Sequence, residues 1–262
     1  MRSNILFLLV VMAAVLTSCQ RVIDIKVKND ASLPVIEGRI TNVTGIQTIS
    51  ISKSIDYDAA NVYPPISGAT VTVTNAGKVY AFTETKPGQY TNSAIKGKSG
   101  QSYALSVKIG DNVYTSTSTM PDMVQLDSIG LTGITVGTKL VRNVSAFYRD
   151  PPNAVNRYRF LMFVNNVQVK AVFAADDYLT NGRYVNTTLY QTDITLNPGD
   201  KVDVEMDCVD KAVYDYFFNL SHQGGNSPND SATPSNPTSN ITGGALGYFS
   251  ANTVQKKSLV VL

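Results

Sequence analysis

The chain has no tryptophan, one histidine and two cysteines in 262 residues. These shortages close off several chemistries. His222 and one spare thiol cannot supply the ligand count of a usual zinc site. A Ser-His-Asp or Cys-His arrangement would have to use His222 as its base. That residue falls at the end of an expected helix, where a histidine simply favours the C-terminal dipole. There is no Walker loop and no GxGxxG element, so nucleotide binding has no motif. An excess of one charge is also missing. Lys and Arg number 22 against 20 Asp and Glu, which gives no electrostatic reason for a nucleic-acid partner. No cofactor and no metal are expected, and no reaction is assigned.

What is present begins with the leader MRSNILFLLVVMAAVLTSCQ. Ile5 to Leu16 is apolar and uncharged, and shorter than the about 20 residues that span a bilayer comfortably. With Arg2 before it and the small pair Thr17-Ser18 after it, residues 1–18 have the layout of a secretory signal peptide. Leu16-Thr17-Ser18-Cys19 resembles the lipobox of bacterial lipoproteins. That resemblance implies lipidation of Cys19 as the mature N-terminus. Each buried acyl CH₂ then contributes about 0.8 kcal/mol of membrane attachment. Residues 19–32 would be the lipidated cysteine and a polar tether. Acylation leaves Cys208 without a partner, so no disulfide framework is expected. Cys208 alternates with Val202, Val204 and Met206 and reads as a small buried hydrophobe.

Beyond the tether the dominant period is two. TISIS, ATVTVTN, VYAFTET, YALSVKI and VYTSTST alternate apolar with polar and are rich in Val, Ile, Thr and Tyr, as half-buried strands are. Turn residues at Asn75-Ala76-Gly77, Pro87-Gly88, Gly97–Gly100 and Gly110-Asp111-Asn112 separate them. A first β-sandwich over 33–119 follows, ending at a hinge in Thr119-Met120-Pro121-Asp122. A second set of strands fills 120–262, among them NRYRFLMFVN, VQVKAVFA, TTLYQTDITL and KVDVEMDCV, with ALGYFSAN and KKSLVVL as the last two. Asn165-Asn166 is expected as a two-residue hairpin turn. One stretch has helical spacing instead. Val213, Phe217 and Leu220 recur after Asp210, an N-cap, and before Gly224-Gly225, a stop, which predicts a helix at about 211–222. The expected fold class is all-β, with two tandem immunoglobulin- or transthyretin-like sandwiches and one α-helix packed on the second.

Three irregular stretches are candidates for function. Residues 54–66 carry Asp56, Tyr57 and Tyr63. Residues 175–186 carry Asp176, Asp177 and Tyr178. Residues 223–240 are rich in Pro, Gly and Ser. The 14 tyrosines are a surplus, and tyrosine offers rigid amphipathic contact area for peptide or carbohydrate. Asp56, Tyr57, Tyr63, Asp176, Asp177 and Tyr178 are therefore the candidate ligand contacts. Asp203, Glu205 and Asp207 share one face of a strand. They read as a solvated outer face, although three acids could also hold calcium or act on a glycoside. Asp127-Ser128-Ile129 and Asp230-Ser231-Ala232 fit an Asp-Ser/Thr-apolar O-glycosylation pattern, Ser231 being the better candidate acceptor.

Longer pieces carry a resemblance over nearly the whole mature chain. They are PVIEG at 34–38, PPISGATV at 64–71, TMP at 119–121, YRF at 158–160, Asp176-Asp177 and PGD at 198–200. The most specific are NPTSNI at 236–241 and GGALGYF at 243–249. Their order resembles a family of exported Bacteroidota lipoproteins, the domain-of-unknown-function 4249 family. SGATVTV, FTET and the PGQY turn also resemble small transthyretin-like folds. The family resemblance implies an outer-membrane or cell-surface anchor in a Gram-negative bacterium, facing the periplasm or the exterior. It also implies a neighbourhood that often includes TonB-dependent transporters. It implies no reaction. The leading expectation is a non-catalytic binding or accessory module for an uptake system, with an oligosaccharide or peptide as ligand. A structural surface subunit or adhesin is the alternative, and a carboxylate-based hydrolase comes third.

Overall fold

The structure is a computed structural model that describes residues 32–56, 62–137, 139–191, 193–223 and 236–262. The leader, Cys19, Tyr57 and Ser231 lie outside the described residues. The period-two stretches are strands. β1 (Pro34–Thr41), β2 (Gln47–Lys53), β3 (Thr70–Asn75), β4 (Lys78–Lys86), β5 (Gln89–Asn92), β6 (Ser102–Ile109) and β7 (Asn112–Thr119) form the first half. In β6 the alternation buries Tyr103, Leu105 and Val107 and exposes Ser102, Ala104 and Lys108. Ala76 and Gly77 both take positive φ at the β3–β4 turn, as Asn165 and Asn166 do at their hairpin. Two left-handed residues in a row are what a type I′ turn requires.

The second half holds β8 (Leu126–Val136), β9 (Lys139–Arg149), β10 (Arg157–Val164), β11 (Val167–Gln168), β12 (Phe173–Asp176), β13 (Tyr184–Leu189), β14 (Lys201–Cys208), α1 (Lys211–Gln223) and β15 (Leu246–Val260). Three expectations change here, the first being that β13 stops at Leu189 and leaves residues 194–196, the end of TTLYQTDITL, outside any strand. The stretch VQVKAVFA is not one strand, because β11 breaks after Gln168 and β12 pairs with β10 further back. ALGYFSAN and KKSLVVL are one strand of 15 residues. The helix begins where capping demands. Asp210 Oδ1 accepts the Val213 N–H at 3.0 Å, an N-cap worth about 1 kcal/mol.

Residues Ser32–Leu262 form one compact unit of all-β architecture, two sandwich-like halves in tandem with α1 packed on the second. One hydrophobic cluster runs from Ile36 to Met120 and takes in Ile241, Ala245, Phe249 and Ala251. The other runs from Val124 to Val261. The long sheet has the order β11-β10-β14-β15-β1-β2-β5-β4-β3-β6-β7, while β13-β9-β8 faces its second half. β15 joins the halves. It lies antiparallel to β14 through Lys201↔Val260 to Cys208↔Thr253, and parallel to β1 through Val35↔Leu246 to Thr41↔Asn252. From Gly247 to Val254 it is buried on both faces, as a parallel strand usually is.

This contact has a steric condition. Gly247 sits at φ +94 opposite Ile36, and a Cβ there would lie 2.1 Å from the Ile36 carbonyl oxygen. Backbone cannot yield as a side-chain tip does. Gly247→Ala is therefore expected to cost about 3 kcal/mol or more in urea unfolding. Ala substituted at Gly45, also at positive φ but with open space around it, should cost less.

Candidate functional site

The outer face of the joining region carries charge. On β14 the residues alternate, so Asp203, Glu205 and Asp207 oppose the core-facing Val202, Val204 and Met206. The solvated outer face expected of these acids is not what the fold builds. Asp203 is partly open, but Glu205 is 5% exposed and Asp207 is fully buried. The reason is Arg39 on β1. It crosses the intervening β15 to place Nη2 2.5 Å from Glu205 and 3.1 Å from Asp207. Ser250 and Asn252 are the short side chains of β15 on this face. Lys256, directly across from Glu205, adds a 2.8 Å contact. Arg159, directly across from Asp207, approaches to 3.9 Å.

The helix closes one end of this cluster. Val213, Tyr214 and Phe217 pack with Val209 and Tyr248. The Arg159 guanidinium lies 3.8 Å from the Phe217 ring centroid and 5.6 Å from that of Tyr248. A cation held over two rings in a partly dry setting gains about 1 kcal/mol or more. Asp210 also ties the helix to the first half, since its Oδ2 accepts from Ser118 Oγ at 2.5 Å and from the Thr119 N–H at 3.2 Å.

Beside the cluster lies a groove of ≈ 460 Å³. Its floor comes from β1 and β2, where Glu37, Ser50, Thr48 and Arg39 share the outer face, and its walls include Tyr248, Glu205 and Lys256. Burial raises the Glu37 carboxyl above its ordinary value, against the pull of Arg159. The Glu205 carboxyl is held below its ordinary value, because Arg39 and Lys256 outweigh the cost of burial. Asp207 behaves oppositely. Burial pushes it up to about 7, with Glu205 adding to the rise and Arg39 and Arg159 opposing it. The groove is thus lined by three charges paired with one another, Arg39, Glu205 and Lys256, and by the hydroxyls of Thr48 and Ser50. That arrangement orients a polar ligand. Glu37 is the exception, a groove carboxyl raised by burial and with no ion-pair partner of its own among the described residues.

The residues expected at a ligand surface do not converge here. Asp56 and Tyr63 are exposed near the β1–β2 end and do not line the groove. Asp176 is exposed and accepts the Tyr214 hydroxyl at 3.2 Å. Asp177 is only 4% exposed, and its carboxylate accepts the Asn156 N–H at 2.8 Å, so it braces a loop. Tyr178 projects freely. Ser128 is exposed on the edge strand β8. His222 ends the helix with Nδ1 2.8 Å from the Phe218 carbonyl. Cys208 is buried, and burial raises its thiol above the ordinary value. Among the described residues no three His, Cys, Asp or Glu side chains gather as a metal set would. Arg39, Glu37, Ser50 and Lys256 were missed. PVIEGR, which pairs an acid and a base on one face of β1, was a signal for Glu37 and Arg39 alone.

A family model described as Domain of unknown function (DUF4249) matches residues 20–258. The chain belongs to this family. The DUF4249 match takes in every element that builds the groove and the ion cluster. No curated protein matches the chain. A solved structure from Bacteroides uniformis ATCC 8492, provisionally described as a carbohydrate binding protein, is 12% identical to it. It covers 69% of this chain and 90% of its own, with a TM-score of 0.21, and at that score it carries no argument.

The cluster makes a signed pH prediction. An acid whose folded value is raised adds stability below its unfolded value and loses it as pH climbs through the folded one. For Asp207 that window runs from 3.8 to about 7. Asp207→Asn, which fixes the neutral state, should flatten the fall in unfolding free energy between those values. Glu205→Gln should instead cost about 3–5 kcal/mol near neutral pH, because it leaves Arg39 short of a buried partner. Urea titrations at stepped pH read both.

Proposed function

We propose that this DUF4249 protein is a non-catalytic binding and accessory module, lipid-anchored at the outer membrane through Cys19, that serves a TonB-dependent uptake system. One observation carries the binding part. Arg39, Glu205 and Lys256 in the groove are fixed by their own pairing, with Arg39 shared between Glu205 and Asp207, so this side of the site is preorganised before any ligand arrives. Preorganisation lowers the ordering cost of binding. The same pairing takes Glu205 out of base catalysis, since a carboxylate held low by two cations is a poor base at neutral pH, and leaves Glu37 as the groove carboxylate that a hydrolase would have to use. Groove hydroxyls at Thr41, Thr48 and Ser50, with Gln47 and Tyr248, suit the hydroxyls of an oligosaccharide or the amides of a peptide. The leader and the Leu16-Thr17-Ser18-Cys19 motif support the anchor, and among the described residues no helix is long and apolar enough to cross a membrane.

Ser50 tests the site without touching the ion cluster. Ser50→Trp fills the groove from its floor and should change stability by less than about 0.5 kcal/mol. The expected outcome is loss of binding to arrayed oligosaccharides and peptides, together with loss of growth on the transported nutrient. Full retention of both contradicts the groove as the site. Cys19→Ala should release the protein from the membrane fraction, and capture of the solubilised wild type from labelled cells should bring a transporter with it.

A further inference from the structure

Two loops meet at one end of the second half, away from the groove. One joins β9 to β10 over residues 150–156, and the other joins β12 to β13 over residues 177–183. Two buried carboxylates lock them together. Asp150 accepts the Tyr158 hydroxyl and the Gly182 N–H, and its own N–H donates to the Arg183 carbonyl at 2.9 Å. Asp177 holds Asn156 by a reciprocal pair, and its carbonyl accepts from Thr180 and Asn181. Burial and the Asp150 bond raise the Tyr158 phenol far above its ordinary value, so it stays a donor at any physiological pH. Gly182 packs against Pro152 so closely that a Cβ would lie 3.0 Å from the Pro152 Cβ.

This rigid frame presents large apolar side chains to solvent. Tyr178 is 85% exposed, Leu179 76%, Val155 68% and Tyr184 53%. Single exposed hydrophobes are ordinary, but three on two interlocked loops, with Tyr184 beside them at the start of β13, are a surface. Its exposed charge is biased. Arg149 and Arg183 are open, Arg149 sitting 5.8 Å from the Tyr184 ring, while Asp150 and Asp177 are buried and Asp176 is engaged by Tyr214. Tyrosine and leucine beside arginine are the composition that settles at an anionic lipid surface.

Strand direction supplies the second argument. β10 is antiparallel to β14, β14 to β15, and β15 is parallel to β1. β10 therefore runs in the same direction as β1, although the register steps along β15 and sets Tyr158 level with Thr253, next to the Asn252 that pairs with Thr41. The loops before β10 and the chain before β1 therefore leave the sheet in the same direction, the chain from a level further out by the length of β1. Only 12 residues separate Cys19 from Ser32, a reach of at most about 40 Å.

We propose that the Val155, Tyr178, Leu179 and Tyr184 apex is a membrane-contact surface that rests on the anionic lipid headgroups of the bilayer holding the Cys19 anchor. It would fix how the fold stands on that bilayer. The inference rests on the anchoring part of the functional reading and not on the groove.

The absence of tryptophan makes the test clean. Full-length acylated protein carrying Leu179→Trp is reconstituted in phosphatidylethanolamine–phosphatidylglycerol vesicles with brominated acyl chains. Val79→Trp, an exposed position in the first half, is the comparison. The expected result is a blue-shifted emission for Leu179→Trp that bromine quenches and iodide does not, with the reverse for Val79→Trp. Adding Arg149→Glu and Arg183→Glu should cut the inserted fraction about fivefold or more. Leu179→Trp emission as open to iodide as that of Val79→Trp overturns the proposal, as does quenching indifferent to the charge reversals. A response to soluble oligosaccharide but not to lipid gives the apex to a saccharide and also overturns it. Protein that floats with vesicles while its tryptophan stays wet removes this inference alone. Protein that does not float removes the anchor with it.

Discussion

The parallel pairing of β15 with β1 is the constraint from which the rest follows. It joins residues more than 200 positions apart and places the last strand between β1 and β14. A strand in that position is covered on both faces, so whatever the sequence puts on the second face must also be satisfied. One face is met by the two hydrophobic clusters. The other is met by the helix over Tyr248 and by the ions around Glu205 and Asp207. Gly247 is the point where the two backbones come too close for any side chain.

The ion cluster is poor evidence for stability as such, since a buried pair gains little over a well-packed apolar one. Its effect is geometric. Arg39 reaches from the first half into the second, and Arg159 is pinned between Asp207 and the rings of α1. Asp210 makes a further link, capping the helix while it bonds the end of β7. These contacts hold the groove floor, which belongs to β1 and β2, against walls that belong to β14 and β15. A recognition surface assembled from such distant segments has a single shape only if the seam is rigid.

Local features were legible in the sequence because their causes are local. Strand alternation, the Asn165-Asn166 turn and the Asp210 cap each depend on a few neighbouring residues, and each is found as expected. The family pieces were legible as well. The acids of β14 were misread because alternation reports only that they share a face. Whether that face is wet depends on Arg39, 166 residues earlier, and on a helix that folds over it. The break after β11 follows from pairing too, since residues 173–176 pair with the start of β10. Asp177 looked like a ligand group because it lies in a loop; its partner is the Asn156 N–H, invisible without the fold.

Native-state hydrogen exchange tests the central claim, that β15 makes the two halves one cooperative structure. Amides of Ile49 in β2, Phe249 in β15 and Val204 in β14 should open with one free energy and one dependence on denaturant. Exchange of residues 36–118 through a separate, cheaper opening that leaves 157–208 protected would show that the seam does not couple them, and would contradict the account.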